Sequence, residues 1–346
     1  MKKENKLKRI NISILFCTLL IFFLLISLSL NILKSNELKL TEPLYHYYET
    51  ENFELYVSPD KTIYRPIIQL FKNAKEDIHC VLRALNFQPI ELALRIKEKE
   101  GIKVRLFVNS EYKGNKRIYF PFTRFDTENR LGMLHSNYCV IDNQIVFTGS
   151  LILNQNTITK NIHTFLIINS SELADRYNSN FWQLYNNQTI KKGAEDKEII
   201  TVNNHIRVKP YFCPYDDCEK LVINFINNSK KRINLAVYSF TNPQIFKALL
   251  DAKKKGMIIQ GVIERKGITK STIDITKLDG INTDNAKRRV HTKTFIFDDD
   301  IIIEGTMNPT YNGANRNDEN ILVIRGMEVN KIYHTFIETL YNHSLR

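Results

Sequence analysis

Near the C-terminal end of the chain, His291 and Lys293 are followed by Asp298, by Gly305, Thr306 and Asn308, and then by Glu319. In a strand, residues i and i+2 point to one face. His291 and Lys293 therefore project together, and Thr306 and Asn308 do the same on the following segment. Asp298, with Asp299 and Asp300, marks the turn between them. If the two strands are neighbours, an imidazole, an ammonium, a hydroxyl, an amide and a carboxylate converge on one spot. That set suits attack on a phosphodiester. A neutral imidazole is a nucleophile near pH 7. Lysine, amide and hydroxyl stabilise phosphate oxygens as charge builds on them. A carboxylate on the other ring nitrogen fixes the tautomer. The scheme needs neither metal nor cofactor. The competing reading is a hydrogen-bonded histidine on a sheet edge.

The chain repeats itself, and the repeat supplies a second histidine. "NAKEDIHCVLRAL" from Asn73 answers "NSKKRINLAVYSF" from Asn228 at an offset of 155, and Gly101 answers Gly256 at the same offset. "MLHSNYCVIDNQIVFTGS" answers "RVHTKTFIFDDDIIIEGT" at 156, and Tyr177, Leu184 and Tyr185 answer Tyr333, Leu340 and Tyr341. Within a unit, strands alternate with helices of apolar spacing, for example "PQIFKALLDAKKKG", with Pro243 at its start and Gly256 at its end. This alternation argues α/β architecture with a largely covered sheet. The expected divisions are a basic N-terminus (1–9), an apolar anchor (10–33), a juxtamembrane linker (34–52), a first repeat (53–186), a linker (187–205) and a second repeat (206–346).

The pattern resembles the phospholipase D superfamily, whose signature is H-x-K-x4-D followed by G-S/T-x-N. His291, Lys293, Asp298, Gly305, Thr306 and Asn308 match it with that spacing, and the resemblance covers both repeats from about Phe53 onward. It implies two α/β/α repeats with facing sheets and two motifs meeting across a pseudo-twofold axis. One histidine would attack phosphorus to form a phosphohistidine, and the other would protonate the leaving oxygen and then activate water. In the first motif His135, Asp142, Gly149 and Ser150 match, but Asn137 answers Lys293, Ile152 answers Asn308, and His163 answers Glu319. One lost charge-assisted contact to a phosphoryl oxygen is worth about 2.7–4 kcal/mol in comparable sites, and such losses are not additive. On this asymmetry His291, supported by Lys293 and Glu319, is the expected nucleophile and His135 the general acid. Thr306, Asn308, Asn137 and Ser150 are expected at the phosphate, with Asp298, Asp142, Gly305 and Gly149 shaping the turns.

From Ile10 to Leu33 no residue is charged, a run long enough to cross a bilayer. Five basic residues precede it, which predicts a cytoplasmic N-terminus and a catalytic body on the opposite side. The net charge of +12 favours anionic partners. Lys287, Arg288 and Arg289 precede the second motif as a steering patch or a solvated loop. "IYFPFTRF" from Ile118 reads chiefly as core. Cys80 and Cys139 read as buried strand residues. Cys213 and Cys218 suit a local disulfide or metal pair, but no second ligand pair follows at zinc spacing. The expected activity is that of a membrane-anchored phosphodiesterase, with nucleic acid placed slightly ahead of phospholipid hydrolysis or phosphatidyl transfer. A non-catalytic phosphate binder, and a homodimer joining two copies of His291, stay open.

Overall fold

The computed structural model describes residues 47–57, 62–113, 120–127, 131–187, 198–268, 273–284, 286 and 288–345. The apolar run Ile10–Leu33 lies outside them. Among the described residues no helix is long and apolar enough to cross a membrane.

The first repeat runs β1 (Tyr47–Thr50), β2 (Phe53–Val57), α1 (Arg65–Asn73), β3 (Asp77–Leu82), β4 (Leu85–Asn86), α2 (Gln88–Lys99), β5 (Lys103–Val108), β6 (Phe122–Phe125), β7 (Asn137–Ile141), β8 (Ile145–Gly149), β9 (Leu153–Asn154), α3 (Gln155–Lys160), β10 (Asn161–Ile162), β11 (Thr164–Asn169) and α4 (Ser171–Tyr185). The second runs β12 (Ile200–Asn203), β13 (Ile206–Cys213), α5 (Cys218–Asn228), β14 (Arg232–Val237), α6 (Pro243–Lys254), β15 (Ile258–Glu264), β16 (Ile281–Asp284), β17 (Arg289–Val290), β18 (Lys293–Phe297), β19 (Ile301–Gly305), α7 (Tyr311–Asn315), β20 (Glu319–Arg325) and α8 (Met327–Ser344). Two stretches read as linkers carry strands: β1 falls within 34–52 and β12 within 187–205. Each adds an antiparallel edge to its sheet by pairing with β2 and β13, a pairing that local composition does not reveal.

Each repeat builds one eight-stranded sheet, in the orders β1-β2-β11-β8-β7-β3-β5-β6 and β12-β13-β20-β19-β18-β14-β15-β16. The two orders correspond strand for strand, as the sequence repeat requires. β3, β5 and β6 are parallel, as are β14, β15 and β16, and the remaining neighbours are antiparallel. The sheets are buried on both faces. On the outer face of the first, Ile67 and Phe71 of α1 and Ile90 and Leu94 of α2 pack on Cys80, Leu82 and Leu106. On the outer face of the second, Val222 of α5 and Ile245 and Leu249 of α6 pack on Ile233, Leu235 and Ile263. A third core lies between the sheets and joins Tyr138, Val140 and Leu166 to Ala236, Ile296 and Leu322, with Tyr177 and Phe181 of α4 and Tyr333 and Phe336 of α8. The layering explains the chain's grammar: strands read as continuous apolar runs because both of their faces are covered.

Turn residues hold the motif hairpins. Asp142 and Asp298 both adopt φ 53. The Asp142 carboxylate accepts from the N–H groups of Lys75, Glu76 and Asp77, and Asp298 accepts from those of Lys230, Lys231 and Arg232. Gly149 and Gly305 close the hairpins at φ 144 and 157. A Cβ at Gly305 would sit 2.2 Å from Asn320 O, and one at Gly149 would sit 2.6 Å from Thr164 O. Only glycine lets those strands approach. Cys80 and Cys139 are joined in a disulfide, as are Cys213 and Cys218. Cys80 and Cys139 are the buried strand residues that the sequence suggests, and the bond between them comes from the β3–β7 register, where they face each other although 59 positions apart in sequence.

The inner layer also carries a buried carboxylate. Glu304 of β19 accepts hydrogen bonds from the hydroxyls of Thr294 and, across the repeat boundary, Thr164. Burial pushes its pKa from the ordinary carboxylate range up to about 8, so it is held protonated near neutrality. A carboxyl whose folded pKa exceeds its unfolded one contributes stability below the unfolded value, and that contribution is lost as pH rises through the folded one. The thermal midpoint of the native chain should therefore fall from about pH 5 to about pH 7 more steeply than that of Glu304→Gln. Parallel slopes in differential scanning calorimetry would show that Glu304 ionises freely in the fold.

Candidate active site

Each motif histidine stands two residues ahead of a central strand, His135 before β7 and His291 before β18. Each is tied by its main chain to the other repeat. His135 N–H donates to Asp318 O and His291 N–H donates to Ile162 O, both at 2.9 Å. β10 pairs in parallel with β17, Ile162 opposite Val290, and Leu134 bridges Asp318 in the same sense. The segment that follows each Gly-Ser/Thr hairpin therefore crosses to the facing repeat. Its next side chain is aimed at the other repeat's histidine.

That crossing relocates Glu319. The sequence reading put it behind His291, but its Oε2 lies 2.6 Å from Nδ1 of His135. Its Oε1 accepts from Asn317 Nδ2 at 2.9 Å, and the side chain is fully buried. The physical cause is the Leu134–Asp318 bridge, which hands the residue after Asp318 to the first repeat. The pseudo-equivalent of Glu319 is His163, and its ring centroid lies 4.8 Å from that of His291. Burial first, then the Lys293 charge, depresses the His163 pKa to about 3, so its ring is neutral, and its Nδ1–H donates to Ser150 O at 2.9 Å.

Lys293 is 2% exposed. Its Nζ lies 2.9 Å from Nδ1 of His291 and donates to His291 O at 2.6 Å, under the Tyr238 ring at 5.7 Å from the centroid. Burial drives its pKa down to about 7, opposed first by Glu319. His291 is held well below the ordinary histidine range, by burial first and then by Lys293, His163 and His135. Residues from both repeats thus sense one another electrostatically.

The other expected residues divide. Asn308 Oδ1 accepts from Ser239 N–H at 3.3 Å, which leaves its NH2 edge as the donor side. The hydroxyls of Ser150 and Thr306 donate to Thr164 O and Asn320 O at 3.1 and 3.2 Å. They were expected at the phosphate, but here they fasten the start of the crossing strand. Asn137 Nδ2 donates to His135 O at 3.2 Å, repeating the Lys293 contact to His291 O without the charge. Arg83, which the sequence reading passed over, follows β3 as Tyr238 follows β14. Its N–H donates to Asn137 Oδ1, its Nη2 pairs with Glu111 at 2.8 Å, and its Nη1 is buried without a hydrogen-bond partner among the described residues. The repeat alignment held the signal, since Arg83 and Tyr238 are in register at 155. The described residues hold no cluster of three His, Cys, Asp or Glu suited to a metal ion.

Two histidines from two repeats, one backed by a carboxylate and one by a lysine in a dry interface, form a site of the phosphodiester-cleaving kind. The family described as "Cardiolipin synthase, PLD-like domain" matches residues 67–185 and again 222–341, and the chain belongs to this PLD-like family. A phospholipase D of Rickettsia felis is 23% identical over 44% of this chain and 80% of its own length. One from Rickettsia conorii is 26% identical over 37% of this chain and 66% of its own length. The crystal structure of phosphatidylserine synthase from Haemophilus influenzae superposes with a TM-score of 0.65 at 15% identity, covering 89% of each chain. It shares the fold.

Anion binding should report the Lys293 charge. Lys293 is depressed to about 7, so the empty site loses positive charge as pH rises through that value. Tungstate, dianionic throughout the range, should bind more weakly from about pH 6 to about pH 8. Lys293→Met should bind it weakly and with little pH dependence. Equal slopes for the two proteins in isothermal titration would place the charge elsewhere.

Proposed function

We propose that the chain is a phosphodiesterase that works through a phosphohistidine, with His135 as the nucleophile and His291 as the general acid and then base. The observation that carries this reading is the 2.6 Å contact between Glu319 and Nδ1 of His135. A carboxylate accepting from Nδ1–H leaves the lone pair on Nε2. The sequence-based choice of His291 rested on Glu319 standing behind it, and that support belongs to His135. His135 Nε2 attacks phosphorus while the leaving oxygen takes a proton from His291. Water then gives its proton to His291 and displaces His135. An incoming phosphate anion favours the protonated His291 that the first step needs, by offsetting the repulsion from Lys293. Lys293 and the Asn308 amide stabilise the phosphoryl oxygens. In the first half Arg83 supplies the charge that Asn137 lacks, because its Nη1 is a buried donor without a hydrogen-bond partner among the described residues. The chemistry asks for no metal.

The two disulfides fit a body placed in an oxidising compartment. That agrees with an anchor at Ile10–Leu33 preceded by a basic N-terminus on the cytoplasmic side. Both halves of the site lie in one chain, so the reading needs no second copy of His291.

Acid quenching during turnover of bis(p-nitrophenyl) phosphate should leave phosphorus on His135, with none trapped in His135→Ala. Phosphorus mapped to His291 in the native chain would reverse the roles. Glu319→Gln should lower kcat about 10²–10⁴-fold by releasing the tautomer. Arg83→Gln should lose about 10²-fold, and Asn137→Lys placed in that background should restore part of it. Failure of the lysine to restore any activity, with the double variant folded, would assign Arg83 a structural role.

A further inference from the structure

Behind the His291 segment lies a closed cycle of polar side chains drawn from both repeats. Glu304 Oε1 meets the Thr164 hydroxyl at 2.5 Å, and Thr164 meets Thr292 at 2.7 Å. Thr292 meets Thr294 at 2.6 Å, and Thr294 returns to Glu304 Oε2 at 2.6 Å. None of the four residues is more than 1% exposed. Four close oxygen–oxygen contacts need four protons, and three hydroxyls carry three. An ionised Glu304 would take the Thr164 and Thr294 protons, and Thr292 would then fill only one of its two contacts. The proton of the neutral acid supplies the missing hydrogen. One of its two threonine contacts then reverses, and the cycle runs in one sense throughout. The hydrogen count and the burial of Glu304 thus call for the same protonation state.

The cycle is placed where it can act on the site. Thr292 stands between His291 and Lys293, and Thr164 directly follows His163. It clasps the segment of the second histidine to the strand that the first repeat sends across, beside the bond from His291 N–H to Ile162 O. On the His135 side the equivalent positions, at the offset of 156, are Ser136, Tyr138, Thr148 and Asn320. There Asn320 Nδ2 donates to Thr148 Oγ1 at 2.8 Å, and Ser136 Oγ donates to Asp318 O at 3.1 Å. These four positions hold no carboxyl. A proton-carrying clasp therefore stands behind one histidine of the pair.

We propose that Glu304, as the neutral acid, is a positioning residue for His291 and Lys293, and that loss of its proton opens the clasp and slows turnover. The proposal rests on the phosphodiesterase reading and adds a proton-dependent control at its acid histidine. The step is one acid dissociation: the carboxyl O–H bond breaks and the proton passes to solvent. Thr292, left with one contact that holds no hydrogen, is then released between the two site residues. The titratable groups facing Glu304 are Lys293 of β18 and Tyr333 of α8. Lys293 favours the ionised form, but burial outweighs it. Burial keeps the Tyr333 phenol neutral.

Glutamine reproduces the neutral acid, because its NH2 donates, its oxygen accepts and it does not ionise. Thr292→Val removes one hydroxyl of the cycle and keeps the side-chain shape. In the full chain acting on bis(p-nitrophenyl) phosphate, Glu304→Gln should hold kcat within about twofold of native at about pH 6. Its ratio to the native chain should rise about tenfold between about pH 7 and about pH 9, because the Glu304 proton is half lost at about 8. Lys293 titrates in both proteins and divides out of that ratio. Thr292→Val should lose about 10²-fold in kcat with KM little changed. The infrared spectrum of the native chain should carry a protonated-carboxyl stretch that Glu304→Gln lacks. A folded Glu304→Gln as slow as Thr292→Val, a ratio flat across that pH range, or a spectrum without the stretch would overturn the proposal. Absence of turnover even by the native chain would count against the phosphodiesterase reading alone. Tungstate affinity then decides the clasp: it should fall about tenfold in Thr292→Val and hold in Glu304→Gln, and equal affinity in all three proteins would overturn it.

Discussion

Everything in this site depends on one main-chain crossing made twice. After each Gly-Ser/Thr hairpin the chain leaves its own sheet edge and lies along the other repeat's histidine segment, where His135 N–H meets Asp318 O and His291 N–H meets Ile162 O. The backbone N–H of each histidine is held by the other repeat. Side chains reinforce the exchange: Asn320 accepts from Asn137 N–H and donates to Thr148, while Thr164 donates to Glu304. These groups are buried, and a buried polar group left unpaired costs about 1–3 kcal/mol. The two repeats are therefore bound by contacts that neither could satisfy alone, and the active geometry is a consequence of how the core closes.

Symmetry of backbone with asymmetry of side chains is what makes the site capable of two roles. Glu319 and His163 occupy equivalent positions, yet one is an acceptor for His135 and the other a neutral ring against His291. Lys293 and Asn137 both reach the carbonyl of their own histidine, yet only one brings charge. Like charges crowded in a dry interface would be costly. Lys293 already sits near its limit, with a pKa pressed down to about 7. A second buried lysine opposite it would compete for the same Glu319 carboxylate. On this argument Asn137 is a tolerable partner to Lys293, and a cation placed further out at Arg83, with Glu111 to balance it, costs less than one at the motif position.

The sequence was informative where a residue's job is local. The hairpin aspartates, the closing glycines and the helix from Pro243 could be read because spacing and backbone preference fix them. So could the duplication, which predicts two sheets of the same strand order. What it hid was anything decided between repeats. Glu319 stands 28 positions after His291 and 184 before it in the other direction lies His135; nothing local says that the longer separation is the contact. The Cys80–Cys139 bond was hidden for the same reason, since it needs the β3–β7 register. Arg83 was overlooked for a different one. It matches no motif, and its meaning emerges only when its pseudo-equivalent Tyr238 is seen against the ring of His291.

The same logic bears on why a damaged-looking first motif need not be an idle one. A motif is a statement about sequence neighbours, whereas catalysis requires spatial neighbours. His135 lacks a lysine at its i+2 position but holds the site's buried carboxylate on its ring nitrogen. His291 has the full sequence motif but lacks that carboxylate. Counted by the groups that surround each ring, the first histidine is the one prepared to keep a lone pair directed outward, and the second is the one whose proton is destabilised by neighbouring positive charge. Division of labour between nucleophile and acid requires such a difference, and two perfect motifs would have to create it by binding an unsymmetrical substrate.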